Sequence, residues 1–424
     1  MKIEPSRLQG ELQIPPSKSH TLRAILFAAL ARGVSWIEGY LVSPDTAAMV
    51  EAVRLLGAEV VVEANTLVIR GCAGKPKVPD DCVQCGNSGL VLRLVGAVAG
   101  LIPHYTILTG DASIRSRRVV QPLLDGLTGL GAFAVASRGE GHAPIVVRGP
   151  FTREITELDG RDSQPVSGLL IAGAFAPHPV EIRVTRPGEK PWVGLTLDWF
   201  KRLGIPCDAE NHSRYRLAGS ASIEPFSYRV PGDLSTLAYP LVAALLTDSE
   251  LLLHNVDLED AQGDKALVFL LQQMGARLII DRERKTLAVQ KGTYLQGMKI
   301  DVNDCIDALP ILAVVGTFAA GATELVGGTI ARQKESDRIG TMARELRKMG
   351  AQIEERDDGL RILPSPLSGA SLCSASDHRV AMSLAVAALR ASSPSYIDNF
   401  FCVAKTYPNF SADFQKIGAK IDGL

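Results

Sequence analysis

The stretch RKMGAQIEERDDGLRILP, residues 347–364, ends a helical pattern at Met349, places a glycine at 350 and runs on into two alternating segments around a polar, glycine-containing turn. A glycine directly after a helix suits a left-handed C-cap, where the chain must reverse. Alternation on both sides of a short turn reads as a β-hairpin. The same junction occurs five more times: RLLGAEV (54–60), TGLGAFAV (128–135), KRLGIPC (201–207), QQMGARL (272–278) and QKIGAKI (415–421). The glycines Gly57, Gly131, Gly204, Gly275, Gly350 and Gly418 are separated by 74, 73, 71, 75 and 68 residues. Such a period marks an internal repeat.

A second helix type recurs at the same spacing, apolar nearly all round and therefore predicted to be buried on every side. Its six copies are residues 18–31, 86–100, 162–176, 232–247, 307–321 and 377–391. Each opens on a polar head, marked by Ser17, Asn87, Asp162, Asp233, Asp304 and Asp377, at spacings of 70, 75, 71, 71 and 73. The unit is head, buried helix, strand, amphipathic helix, glycine and hairpin. Six α+β units of about 70 residues account for the 424-residue chain, and each is too small to be an independent domain.

The composition is that of a globular protein, 46% hydrophobic and 21% charged, and 45 Lys and Arg against 46 Asp and Glu leave a formal net charge of −1. No bulk basic field exists to hold nucleic acid or an anionic membrane, so any anion site is local. The longest apolar runs, such as 309–320, fall short of the ~18–20 residues that span a bilayer. Seven scattered cysteines and no signal peptide argue for a reducing compartment, hence a cytoplasmic protein.

The polar heads are N-caps at the least. Several carry more than a cap: Lys18 and Arg23, Asn87 and Arg93, Gln164, and Arg379. A helix N-terminus presents free N–H groups and about half a positive charge, so cations added there make an anion site. Three parallel units would bring their heads to one surface, and two such triples face to face would form a cleft for an anionic small molecule. The densest chemical cluster is ARQKESDRIG (331–340), where Lys334 and Arg338, four apart, can share a helix face with Glu335 between them. It is either an exposed ion-pair lattice or an acid that moves a proton, and the preceding Gly327-Gly328 favours the second. Arg115, Arg117 and Arg118 offer guanidiniums for phosphate or carboxylate, or form a solvated charge run. Asp307 is a cap or a base, and Lys405 either reaches a phosphate or snorkels.

No GxxxxGK[ST] loop, GxSxG elbow or dinucleotide glycine fingerprint occurs. Cys82 and Cys85 form a lone CxxC without a second pair at zinc spacing, and the seven histidines include no HExxH. The expected chemistry therefore rests on carboxylates, lysines and arginines, without metal or cofactor.

The segments PPSKSHTLRAILFAALA (15–31), CGNSGLVLR (85–93), RSRRVVQPLLDGL (115–127), DALPILAV (307–314), KESDRI (334–339), SDHRVAM (376–382) and AKTYP (404–408), in this order, resemble the 5-enolpyruvylshikimate-3-phosphate synthase family of enolpyruvyl transferases. The resemblance spans essentially the whole chain. It implies two domains, each of three βαβαββ units around buried parallel helices, with residues 1–15 plus 230–424 forming one and 16–229 the other. It further implies an active site in the cleft between them, and closure on hinges near Pro15-Pro16 and Pro231-Gly232. The implied reaction transfers the enolpyruvyl group of phosphoenolpyruvate to the 5-hydroxyl of shikimate 3-phosphate, by a monomer that needs no cofactor. By matching positions, Lys18 contacts both ligands. Ser19, Arg23, Ser163, Gln164, Asp307 and Lys334 hold shikimate 3-phosphate, while Asn87, Gly89, Arg117, Gln164, Arg338, Arg379 and Lys405 hold phosphoenolpyruvate. Asp307 is the implied base for the 5-hydroxyl and Glu335 the acid for the methylene carbon.

The chain departs from the family pattern at Leu90, at Asp162 where a serine is usual, at Glu189 and Trp192 in EKPW, and at Ile330. Asp162 would repel a phosphate, so it is expected to point elsewhere or to cap its helix. Two rival readings are a transferase of the same fold acting on UDP-N-acetylglucosamine and a non-catalytic anion-binding repeat protein. The first would carry Lys-Asn where this chain has Lys18-Ser19, and a mobile-loop cysteine where it has DASIRSRR (111–118). The second would need the cations but not both Asp307 and Glu335.

Overall fold

The structure is a computed structural model that describes residues 1–423. The six apolar segments are helices Lys18–Leu30, Gly89–Ala99, Ser163–Ala174, Leu234–Leu246, Leu309–Phe318 and His378–Arg390, buried along almost their whole length. Five begin on a side-chain cap, from Ser17, Ser88, Asp162, Asp233 and Asp377. Two heads differ from the sequence reading. Ser88, not Asn87, caps the second helix, because its hydroxyl accepts from the Val91 N–H. Asp304 caps nothing: a 3-10 turn, Asn303–Ala308, leads into the fifth helix, whose first turn contains a proline. Proline has no N–H, so that helix start has one fewer donor to satisfy.

The amphipathic set comprises Pro44–Leu55, Gln121–Gly129, Lys190–Arg202, Ala266–Gln273, Arg338–Lys348 and Phe410–Lys416. The six glycines that follow all have positive φ, +97°, +85°, +69°, +106°, +97° and +101° in chain order. Each reverses the chain in a conformation that costs any other L-residue about 1–2 kcal/mol.

Six four-stranded sheets complete the repeats. In the fifth, Lys299–Asp301 runs parallel to Thr323–Val326, which pairs antiparallel with Gly359–Leu363 and through it with Gln352–Arg356. Every repeat thus has a strand ahead of its head that the period alone did not reveal. Three sheets borrow a strand from far away in sequence. Gln9–Gln13 leads the fourth beside Glu250–His254, and Ser227–Arg229 leads the first beside Val34–Glu38. After Gly418 a single strand, Lys420–Asp422, follows where a hairpin was expected, and its antiparallel partner is Lys2–Glu4.

The chain divides into two compact units, Met1–Pro15 with Pro231–Leu424, and Pro16–Val230. Each has its own apolar core around its three buried helices. Among the described residues, no helix is long and apolar enough to cross a membrane.

Two of the cap glycines separate backbone strain from crowding. A Cβ at Gly204 would meet nothing within 4 Å, whereas one at Gly131 would run into the Thr152 hydroxyl. Gly204→Ala is expected to cost about 1 kcal/mol, for the left-handed φ alone. Gly131→Ala should cost roughly 1–3 kcal/mol more, because Thr152 must also move. Urea unfolding of the two variants checks the order.

Candidate active site

In the unit that contains residues 231–423, one guanidinium organises the site. Arg338 opens its helix behind the Asp337 cap, is 1% exposed, and reaches three carboxylates. Its Nε donates to Asp377 Oδ2 at 2.9 Å, Nη1 to Asp307 Oδ1 at 2.6 Å, and Nη2 to Glu335 Oε2 at 2.9 Å. Burial disfavours its charge, but Asp377, Glu335 and Asp307 overcome that and raise its pKa well above the ordinary value.

Two further cations, Lys405 and Arg379, bind the second oxygens of Glu335 and Asp307. Lys405 Nζ donates to Glu335 Oε1 at 2.8 Å, and Arg379 Nη2 donates to Asp307 Oδ2 at 3.3 Å and to the Ser235 hydroxyl. Arg379 is also driven up: burial opposes its charge, and Tyr239, Asp307, Asp233 and Asp264 outweigh it. Its Nε and Nη1 are buried with no hydrogen-bond acceptor among the described residues. Asp377 is fully buried, caps its helix through the Arg379 N–H at 2.9 Å, and accepts from Ser336 Oγ at 3.0 Å. The heads of the fourth, fifth and sixth buried helices are thereby tied together.

Lys334 is buried, but it does not share a helix face with Arg338. It ends a 3-10 turn, Thr329–Gln333, in an extended conformation, and the helix starts only at Arg338 because Asp337 caps it there. Glu335 is buried, so the exposed-lattice reading of the cluster does not hold.

The unit of residues 16–230 gathers the remaining candidates. Lys18 Nζ lies 3.8 Å from Asp45, whose carboxylate also accepts from the Ser88 hydroxyl at 2.9 Å, joining the first head to the second. Arg93 donates to the Gly89 carbonyl and lies 3.1 Å from Asp162, joining the second to the third. A Cβ on Gly89 would fall 2.8 Å from Arg93 Nη1 and 3.1 Å from Arg118 Nη2, so the absent side chain leaves room for two guanidiniums. Asn87 Nδ2 donates to Asp111 at 2.6 Å and to Ser113 at 2.8 Å, at the start of a short helix, Ala112–Ser116. Arg117 stands exposed just after that helix.

Arg23 differs from its counterparts. It is 2% exposed, and its partners are neutral oxygens: Thr196 Oγ1 at 3.0 Å, the Ser19 and Trp192 carbonyls at 3.3 Å, and Ser167 Oγ at 3.5 Å. Burial lowers its pKa to about 10. Asp162 caps its helix, accepting from the Gln164 N–H at 3.0 Å. Ser163 donates both N–H and Oγ to the buried Glu189. Leu90 lies in the core of its unit, and Ile330 packs against the core of the other.

Sequence reading missed Asp45 and Glu189 as partners of the heads and saw Asp377 only as a marker. A carboxylate right after Ser43-Pro44 is a helix-start signal, but its reach to Lys18 and Ser88 is a tertiary fact. Among the described residues, no group of three or more His, Cys, Asp or Glu is arranged to hold a metal ion.

Residues 3–414 match the model of the EPSP synthase (3-phosphoshikimate 1-carboxyvinyltransferase) family. The chain belongs to that family. It is 41% identical to a 3-phosphoshikimate 1-carboxyvinyltransferase of Acetivibrio thermocellus, with 99% of each chain covered. The enzyme of that name from Chlamydia caviae is 40% identical over 99% of this chain and 94% of its own length. Among solved structures, EPSP synthase from Acinetobacter baumannii superposes with a TM-score of 0.82 at 27% identity, over 100% of this chain and 99% of its own. The enolpyruvyl transferase NikO from Streptomyces tendae shares the fold, with a TM-score of 0.78 at 21% identity over 99% of this chain and 98% of its own.

Two outcomes follow for carboxylates that cap helices in this chain. Asp377→Asn keeps a cap acceptor but removes the buried charge facing Arg338. It should destabilise its unit by about 3 kcal/mol, read by urea unfolding. The Asp111 carboxyl is held below its ordinary 3.8: burial works against the charge, while Asn87, the Ile114 N–H and Ser113 prevail. Its stabilisation is thus complete above the ordinary value and is lost as pH falls through the lower folded one. The acid-side decline in unfolding free energy should be shallower in Asp111→Asn than in the parent.

Proposed function

We propose that the two sets of head residues act on the same pair of anions, transferring the enolpyruvyl group of phosphoenolpyruvate to the 5-hydroxyl of shikimate 3-phosphate with release of phosphate. The hydroxyl oxygen attacks C2 of phosphoenolpyruvate and gives its proton to Asp307, while C3 takes a proton from Glu335. The tetrahedral adduct then returns a proton from C3 to the Glu335 carboxylate as the C2–O bond breaks and phosphate leaves with the bonding electrons.

The observation that carries this reading is the way both acids are held. Arg338 and Arg379 occupy the two oxygens of Asp307, and Arg338 and Lys405 those of Glu335. These are the cations assigned to the phosphate and carboxylate of phosphoenolpyruvate. A bound anion draws their hydrogen bonds away from the carboxylates, so substrate binding itself makes both acids better proton carriers. A binding protein would have no use for that coupling. The two open donors of Arg379 and the neutral surroundings of Arg23 support anionic ligands on both units. Lys18, Ser19, Ser163, Gln164 and Lys334 complete the shikimate side, and Asn87, Gly89 and Arg117 the phosphoenolpyruvate side. Seven free cysteines support a cytoplasmic setting, and the enzyme acts there as a monomer.

Phosphate release on mixing the protein with both substrates, each omitted in turn, tests the reading. Release should require both; release without shikimate 3-phosphate, or none at all, would sink it. Glu335→Gln should lower kcat by about 10²–10⁴-fold, with shikimate 3-phosphate affinity within about twofold of the parent by calorimetry.

A further inference from the structure

The third buried helix, Ser163–Ala174, begins under two carboxylates. Asp162 takes the Gln164 N–H at 3.0 Å, and Glu189 takes the Ser163 N–H at 3.0 Å and the Ser163 hydroxyl at 2.9 Å. Glu189 is 1% exposed and stands at the N-cap of the helix Lys190–Arg202, yet its side chain makes no cap hydrogen bond to that helix. Its backbone is left-handed, with φ +45°, and Arg186 three residues earlier is left-handed as well, with φ +51°. Two non-glycine residues in that conformation within one short loop are strained, and the surrounding structure holds them there.

The fourth repeat shows what the loop needs for structure alone. There the first N–H of the buried helix, that of Leu234, is taken by Gln262 Oε1 at 3.1 Å, from the matching loop ahead of the next helix. A neutral amide suffices for this bond, so the charge of Glu189 is not required to hold the helix end.

We propose that Glu189 is an internal anion occupying the Ser163 donors that the acceptor's phosphate uses, and that it thereby sets the affinity for the phosphorylated acceptor. The proposal rests on the assignment of Ser163 to the shikimate 3-phosphate side. A dianion arriving at this helix start meets two carboxylates already there. It can bond Ser163 only as Glu189 withdraws, and that withdrawal frees the loop from its left-handed turn. Glu189 is a specificity-determining residue that touches no reacting atom, so its effect falls on KM for the acceptor and not on the chemical step.

The test compares the full-length protein with Glu189→Gln, which mimics Gln262, and Glu189→Gly, which also removes the backbone strain. Both should lower KM for shikimate 3-phosphate about tenfold, with kcat and KM for phosphoenolpyruvate within about twofold of the parent. An unchanged or raised KM for shikimate 3-phosphate in the folded variants would overturn the proposal, since a merely structural cap predicts that result. A second readout does not depend on turnover: the rise in melting temperature produced by inorganic phosphate should be larger in both variants than in the parent. Should the parent fail to release phosphate from the two substrates, the functional reading falls. The thermal shifts then decide the role of Glu189 alone, and equal shifts in parent and variants would reject it.

Discussion

In each unit, three buried helices bring their N-termini to one end, and that convergence of like partial charge is the constraint on which the site depends. Each N-terminus carries unsatisfied N–H groups and about half a positive charge. The chain answers with carboxylate caps at Asp162, Asp233 and Asp377, and then adds buried cations of its own. The buried Arg338 engages three carboxylates, one of them the Asp377 cap. Buried charge of both signs is thus concentrated locally in a chain whose net charge is only −1.

Both units pair head cations with acids, but the guanidiniums of Arg338 and Arg23 are held differently. Around Arg338 the cations Arg338, Arg379 and Lys405 are matched by Asp377, Asp307 and Glu335, and two of these acids are the proposed proton carriers. Around Arg23 the partners are neutral oxygens, and the guanidinium loses part of its hold on its proton, with a pKa near 10. In the proposed reaction the first arrangement would couple ligand binding to acid–base chemistry, because an anion and the carboxylates would compete for the same donors. The second leaves a buried charge that an anion would compensate. Where the chain supplies its own anion, as Glu189 does at Ser163, the proposed ligand and the side chain would compete for one place.

Much of this was legible in the sequence. The glycine period located all six C-caps, because a left-handed residue after a helix is a local demand that glycine meets with least strain, and all six φ values are positive. Apolar faces all round identified six buried helices for an equally local reason. What failed was what local pattern cannot carry. Asp304 looked like its counterparts, but a 3-10 turn, Asn303–Ala308, leads into the helix, and a proline in its first turn leaves one fewer donor to satisfy. Lys334 and Arg338 stood at helical spacing, yet Asp337 starts the helix after Lys334. The strands that close the first, fourth and sixth sheets lie far from their partners in sequence, so no period could join them.

By itself, then, the sequence determined the repeat, the buried helices, their reversals and the residue types of the chemistry, since each follows from spacing, burial pattern and backbone freedom within a few residues. Only the tertiary structure decided which acid faces which cation. Those contacts span separations such as Asp307 to Arg379 or Glu335 to Lys405, and they form when separate helix starts pack side by side. The pairing fixes protonation, because a buried charge is governed by whatever lies within a few ångströms of it, whatever its distance along the chain.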